Sequence, residues 1–335
     1  MQNKFFAEEI QLDRLSKLGD SLEKLKVINF EDFRPTLEKA FHKDRKSNAG
    51  RPAFDVVMMF KILVLQRFFN LSDDQTEFQI MDRISFQRFI GISLGDRVPD
   101  AKTIWLFRNT LTQHKTIDEL FTQFNDKLAA KRLITHTGTI IDATFVDAPR
   151  QRNSREENKQ IKSGEVPEEW FEQPHKLAQK DTNARWAKKN SETHYGYKNH
   201  AKVDSESKLV TNYAVTAASV SDGDKFSEFI DKDDKAVYGD CAYASKEIPE
   251  HVQNCICARA YKNRPLTEEQ KRNNREKSRI RCRIEHVFAF MTVSMHGLTL
   301  RSIGIKRANF NIGLTNLVYN FFRYEVLERR GLCRG

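Results

Sequence analysis

Thr139-Ile-Ile-Asp-Ala-Thr-Phe-Val-Asp147 is the stretch on which the fold of this chain turns. It is apolar on both faces and rich in β-branched residues, as a central strand covered on each side should be. An ionised Asp142 in the middle of such a strand requires a partner, so a cation or hydrogen-bond donors are expected to meet it. Asp147 is the competing acid. Its spacing of five points it to the opposite strand face, and Asp147-Ala-Pro149 reads as the turn that ends the strand.

Beyond this strand, residues 150–193 are polar, charge-mixed and weakly periodic, and read as a long loop or small insertion. His194-Tyr-Gly-Tyr-Lys-Asn-His-Ala-Lys-Val203 alternates, which sets Lys198, His200 and Lys202 on one face, with Leu209-Val-Thr-Asn-Tyr-Ala-Val215 as hairpin partner. A solvated strand face accounts for those residues as well as a DNA-backbone contact does. A helix over about 222–230 leads to the strand Ala236-Val-Tyr-Gly-Asp240, then a helix over about 244–252 and a strand over about 255–260. A long helix from about Glu268 to Met295 follows. A last amphipathic helix carries Ile312, Leu317, Val318, Phe321 and Phe322.

Upstream, residues 1–132 read as helix after helix. Leu12, Leu15, Leu18, Leu22 and Leu25 recur at spacings of three and four. Asn48-Ala-Gly-Arg-Pro52 breaks the chain. Phe54, Val57, Met58, Ile62, Leu65 and Phe68 form an amphipathic helix with Lys61 at its margin. Ser72-Asp-Asp-Gln75 is a capping box, and Pro99-Asp100 opens a further helix through Thr103, Trp105, Phe107 and Leu111. Segments 72–90 and 100–114 fit a helix-turn-helix-like unit, and an ordinary helical bundle at least as well. There is no evident internal repeat. The expectation is an all-helical domain over 1–132, followed over 133–335 by a layered α/β or α+β domain with a polar insertion at about 150–193.

A length of 335 residues suits about two domains. The hydrophobic fraction of 39% with 24 Phe argues against a disordered chain. No apolar run is long enough to span a bilayer, and acids follow closely on Phe5-Phe-Ala7, so no secretory signal is expected. The expected setting is the cytoplasm, with no membrane partner. The five cysteines, odd in number and without a regular framework, fit reduced thiols. Cys255-Ile-Cys257 with His251 lacks a second ligand pair at zinc-finger spacing and reads as buried strand.

The formal net charge of +10 is unevenly placed. Residues 259–335 carry 17 Lys+Arg against 6 Asp+Glu, and residues 1–258 carry 39 against 40. The steepest part, 259–283, has ten basic and three acidic residues. Such a field attracts polyanions, nucleic acid foremost. A solvated surface on a basic protein accounts for the charge equally well.

Three carboxylates stand out. Asp142 lies inside the first strand. Asp240 closes another strand, where functional groups of α/β sheets gather. Glu285 borders the apolar stripe Ile280, Ile284, Val287, Phe288 and Met291 of a helix that packs on the sheet. Hard oxygen ligands of this kind suit Mg²⁺ or Mn²⁺, and two such ions clamp an in-line phosphodiester substitution. Arg281, one turn before Glu285, is placed to pair with it or to hold a phosphate. A strand-end cap for Asp240 and a surface ion pair for Glu285 remain the structural alternatives. No Gly-x-x-x-x-Gly-Lys-Ser/Thr loop occurs, so ATP use is not expected.

In order along the chain, Gly50-Arg-Pro52, Met59-Phe-Lys-Ile-Leu-Val64, Leu71-Ser-Asp73, Asp82-Arg-Ile-Ser-Phe86 and Pro99-Asp-Ala-Lys-Thr103 are followed by five further fragments. These are Ile141-Asp-Ala-Thr144, Asp181-Thr-Asn-Ala-Arg185, Gly196-Tyr-Lys-Asn-His200, Tyr238-Gly-Asp240 and Arg281-Cys-Arg-Ile-Glu285. Together they resemble a bacterial insertion-sequence transposase of the DDE class, in the insertion-sequence-five family, over nearly the whole chain. The resemblance implies an RNase H-like mixed sheet flanked by helices. It implies that Asp142, Asp240 and Glu285 bind two Mg²⁺ ions, with Mn²⁺ as a substitute, and that Arg281 is the family's arginine. It further implies that the helical domain 1–132 binds the DNA ends, with cleavage at terminal inverted repeats of double-stranded DNA, transfer of the freed 3′ hydroxyl into target DNA, and a homodimer on DNA. Related elements often carry a Lys seven residues after the glutamate that contacts DNA. Thr292 stands there in this chain, and Arg279, Arg283 and Lys277 are candidates for that contact.

Overall fold

The computed structural model describes residues 7–41, 52–189 and 191–332. The break expected at 48–52 falls outside them except for Pro52, as does Cys333. The structure is a mixed α/β sheet flanked by helices and preceded by helices, as expected. The strands are β1 (Thr139–Asp147), β2 (Arg185–Lys189), β3 (Glu192–Asp204), β4 (Val210–Ala217), β5 (Ala236–Gly239) and β6 (Gln253–Ile256). They run in the order β2-β3-β1-β5-β6, with β4 also paired to β3. β1 is antiparallel to β3 and parallel to β5, and β5 is parallel to β6. Ile140 lies opposite Tyr238 across the parallel pair, so two residues further on Asp142 and Asp240 arrive at the same level.

The front half contains α1 (Ala7–Leu18), α2 (Arg34–Phe41), α3 (Val56–Phe68), α4 (Asp73–Asp82), α5 (Ile84–Ile90), α6 (Ala101–Gln113) and α7 (Thr116–Ala130). The capping box at Ser72 is formed in both directions, and Asp100 caps α6 through the Thr103 amide. The leucine series before residue 26 is not one helix: α1 stops at Leu18, and Ser21–Val27 is a 3₁₀ turn that buries Leu22 and Leu25. Helix α3 was expected to be amphipathic but is buried on nearly every side, with Lys61 over the rings of Phe30 and Phe89.

Segment 150–193 is more ordered than a loop. It forms α8 (Arg155–Ser163), α9 (Glu168–Phe171), α10 (Pro174–Leu177) and then β2. Its anchor is buried Asp181, whose carboxylate accepts from the Tyr197 hydroxyl at 2.8 Å and from the amides of Asn183, Ala184 and Gly304. The helix expected over 222–230 is instead two short 3₁₀ turns, in a stretch whose Asp222-Gly-Asp224 favours turns. The helix expected over 244–252 is absent. Pro249 donates no backbone hydrogen bond and holds Ile248 out of the helical region.

The long rear helix is divided at Cys282 into α11 (Glu268–Arg281) and α12 (Arg283–Ala289), and the chain continues as a π-helical turn, Phe290–Ser294. The last helix, α13 (Ile305–Arg329), is buried almost all round instead of amphipathic. It passes through the front helices: Phe321 lies 5.7 Å from Phe30, 5.8 Å from Phe33 and 4.8 Å from Phe124 between ring centroids. One hydrophobic cluster therefore runs from Leu22 to Leu327. Burial of each such Phe contributes about 1.5–3 kcal/mol. Among the described residues, no helix is long and apolar enough to cross a membrane.

Candidate active site

The sheet sets Asp142 and Asp240 side by side. Gly239, just before Asp240, admits no side chain, because a Cβ there would stand 2.9 Å from both Tyr243 Cδ2 and Ile256 Cδ1. The chain then turns sharply, and Asp240 Oδ1 caps the turn Cys241–Tyr243 by accepting from the Ala242 amide at 2.9 Å. Glu285 enters from the other side in the first turn of α12, with its side chain 56% exposed. Arg281 sits between: its Nη1 lies 3.3 Å from Asp142 Oδ2 and 3.3 Å from Glu285 Oε1.

Asp142 is the most constrained of the three, with its side chain 13% exposed. Burial pushes its carboxyl from the ordinary 3.8 up to about 6. The Ala143 amide, which donates to Oδ1 at 2.8 Å, and the Arg281 guanidinium oppose that rise, while Asp240 and Glu285 reinforce it. Asp142 thus feels both other carboxylates. The cluster is short of positive charge, and Arg281 is the cation it holds. All donors are carboxylate oxygens, the ligand chemistry of Mg²⁺ and Mn²⁺. Among the described residues, no three His, Cys, Asp or Glu side chains close on one point as they lie, since Arg281 separates Asp142 from Glu285. The residues fit a divalent ion once Glu285 gives up its contact with Arg281.

The flanking cations divide into exposed and tethered. Helix α11 buries none of its residues, and Arg279 is exposed on it. Lys277 Nζ donates to the Ile256 carbonyl at 2.8 Å, and Arg283 Nη1 to the Ser205 carbonyl at 2.5 Å, so both are half-held. Thr292 turns its hydroxyl back onto the Phe288 and Ala289 carbonyls.

The strand face of Lys198, His200 and Lys202 departs from expectation. All three are buried, at 8%, 1% and 1% exposure. Lys198 Nζ donates to Asp222 Oδ1 at 2.7 Å and to the Val220 carbonyl, His200 Nε2 meets Thr216 Oγ1, and Lys202 is held by Asp231 and Asp234. Burial lowers the His200 pKa to about 4, so its ring is neutral at neutral pH. The alternation was real, but β3 is covered on one face by α13, through Asn199 and Asn316, and on the other by the segment that brings Asp222, Asp231 and Asp234, so this face is not presented to solvent.

Two neighbours of the carboxylates escaped the sequence reading. The Tyr243 hydroxyl is buried with no hydrogen-bond partner among the described residues. Burial, then Asp142, Asp222 and Asp240, holds its proton on. Asp222 reaches the site through a turn that sequence periodicity does not resolve. Tyr243 had a signal in its position three residues after Asp240.

A solved structure described as "Cryo-EM structure of piggyBac transposase synaptic complex with hairpin DNA (SNHP)" is 13% identical, covers 90% of this chain and 73% of that chain, and has a TM-score of 0.43. Residues 10–110 match the family model described as Transposase domain (DUF772). Residues 134–321, more than half of the chain and inclusive of Asp142, Asp240, Arg281 and Glu285, match the model described as Transposase DDE domain. The chain belongs to the DDE transposase family.

Proposed function

We propose that this transposase, of the insertion-sequence-five type, binds the terminal inverted repeats of its element, hydrolyses the phosphodiester at each end, and joins the freed 3′ hydroxyl to target DNA as a homodimer on DNA. The observation that carries this reading is the meeting of Asp142 and Asp240, on adjacent parallel strands, with Glu285 through Arg281, at the end of the exposed basic helix α11. Asp142, Asp240 and Glu285 would hold two Mg²⁺ ions, with Mn²⁺ as a substitute. Bound there, the ions would activate the attacking oxygen and stabilise the leaving one.

The chain's own residues supply the rest. Asp142, fixed by the Ala143 amide, is a rigid ligand. Glu285, exposed and on a short helix, is the adjustable one. Arg281, released from Glu285, is placed to hold a non-bridging phosphate oxygen. In cleavage the water oxygen bonds to phosphorus as the bond from phosphorus to the 3′ oxygen breaks, and the 3′ oxygen leaves as a hydroxyl. In joining, that 3′ oxygen attacks a target phosphorus and expels a target 3′ hydroxyl. Each step replaces one bond to phosphorus with another, so no ATP is required.

The test incubates purified full-length chain and its Asp142→Asn variant with end-repeat duplexes and Mg²⁺. The expected result is repeat-end cleavage and joined product for the parent, and binding without cleavage for the variant. Equal cleavage by both removes Asp142 from the mechanism.

A further inference from the structure

A second basic site lies apart from the carboxylates. At the carboxyl end of β1 there is an open cleft of about 640 Å³, lined by residues of α3, α6, the start of the 150s, segment 299–303 and the start of α13. Arg67, Arg108, Arg150, Arg301 and Arg307 face it, against Asp73 and Asp74 alone. Asp73 is already committed to Arg108 in a two-pronged pair, with both contacts at 2.7 Å.

None of the other four arginines forms an ion pair with a carboxylate among the described residues, although Asp73 also feels Arg301. Arg301 donates only to the Asn70 side chain and carbonyl. Arg150 lies over the Trp186 ring at 5.8 Å. Arg307 makes no side-chain hydrogen bond or ion pair among the described residues. Arg67, 8% exposed, donates to the Gly297 carbonyl and leaves Nε without a partner. Its pKa is lowered to about 10 by burial and then by Arg301. Like charges gathered in this way repel and destabilise the fold unless an anion joins them. Arginine forks match phosphate oxygens.

The cleft and the carboxylates are strung along one strand. Asp142 is five residues before Asp147, which bridges to Thr299 at the lip of the cleft, and Pro149, also in the lining, is two beyond. At about 3.3 Å per residue that is roughly 20 Å, or about six to seven base pairs of duplex at about 3.4 Å each. Segment 299–303 also continues from α12, which carries Glu285.

We propose that this cleft grips the phosphate backbone of the duplex whose end the carboxylates cut, about six to seven base pairs in from the cut. The proposal rests on the DNA reading above.

The test compares the full-length parent with Arg301→Glu/Arg307→Glu and Arg301→Lys/Arg307→Lys, none of which removes an ion pair. Binding is measured to an end duplex of about 20 base pairs across a salt series, with thermal melting as the fold control. The charge reversal is expected to weaken binding at least about tenfold and to flatten the slope of log K against log salt by about two. The lysine pair should stay close to the parent in binding, and both variants should melt cooperatively, the charge reversal no lower than the parent because it relieves the crowding of like charge. A photo-crosslinker at position 301 should label the duplex about five to nine base pairs from the cut. Parent-like affinity and slope for the charge reversal overturn the proposal, as does labelling confined to a separate target duplex. Displacement of the duplex by an equal phosphate concentration of tripolyphosphate, with tripolyphosphate binding lost in the charge reversal, would reassign the cleft to a small polyphosphate. A parent that binds no duplex at all fails the DNA reading instead.

Discussion

Replacement of Asp142 by Asn should make the metal-free protein more stable at alkaline pH while abolishing its chemistry. Asp142 is buried in β1 and its carboxyl is displaced from 3.8 to about 6. At about 1.4 kcal/mol per pH unit, that corresponds to about 3 kcal/mol. A carboxyl that holds its proton more tightly when folded adds no penalty below about pH 4, where it is protonated in both states. As pH rises from about 4 to about 6, the unfolded chain releases its proton first, and stability falls by the full amount. The amide side chain of the variant never ionises and retains an oxygen for the Ala143 amide, though it gives up the attraction to Arg281. The difference between variant and parent should therefore grow from near zero at pH 4 to at most about 3 kcal/mol in favour of the Asp142→Asn variant above pH 6. Urea unfolding of both proteins in a chelator, at intervals from pH 4 to pH 8, measures it. A difference that is flat with pH, or one that favours the parent at pH 8, refutes the argument that burial of this carboxylate is a stability cost awaiting a cation.

Three further outcomes are expected. Asp240→Asn and Glu285→Gln should each lose Mg²⁺-dependent cleavage yet keep duplex binding, measured by gel shift and end-labelled cutting. A chelator should have the same effect on the parent. Asp181→Ala should destabilise by about 2–4 kcal/mol in urea unfolding, because the Tyr197 hydroxyl and three backbone amides lose their buried acceptor. Phe321→Ala should cost about 3–5 kcal/mol, and the loss should appear in probes of the front helices as well as of the sheet, since its ring touches Phe30, Phe33 and Phe124.

The sequence was most legible where one residue contradicted its surroundings. Asp142 in an apolar strand, and the strands flanking Asp240, were visible because period-two patterning and β-branching are local properties. The capping box at Ser72 was visible for the same reason, whereas those at Ser154 and Thr267 were not read. Burial on all sides was less so: α3 and α13 resemble amphipathic helices until the helices that cover their polar margins are known, and β3 alternates in sequence though both of its faces are covered. Lys198 illustrates the point. Its charge suggested solvent, but Asp222 neutralises it inside the fold, and that partner arrives through a 3₁₀ turn with no periodic signature. Arg281 was placed on the same helix face as Glu285 by spacing alone, whereas its simultaneous contact with Asp142 comes from a strand 139 residues away and has no local signature.

The passage of α13 through the front helices also bears on damaged copies of the gene. An element whose reading frame closes before Ile305 would encode a chain without its last helix and, with it, the wall against which Phe30, Phe33, Phe68 and Phe124 pack. Such a remnant would leave the rings of its front helices without the partner that closes their shared core. Loss of the codons for that one helix thus removes the common core of the front helices and the sheet at once.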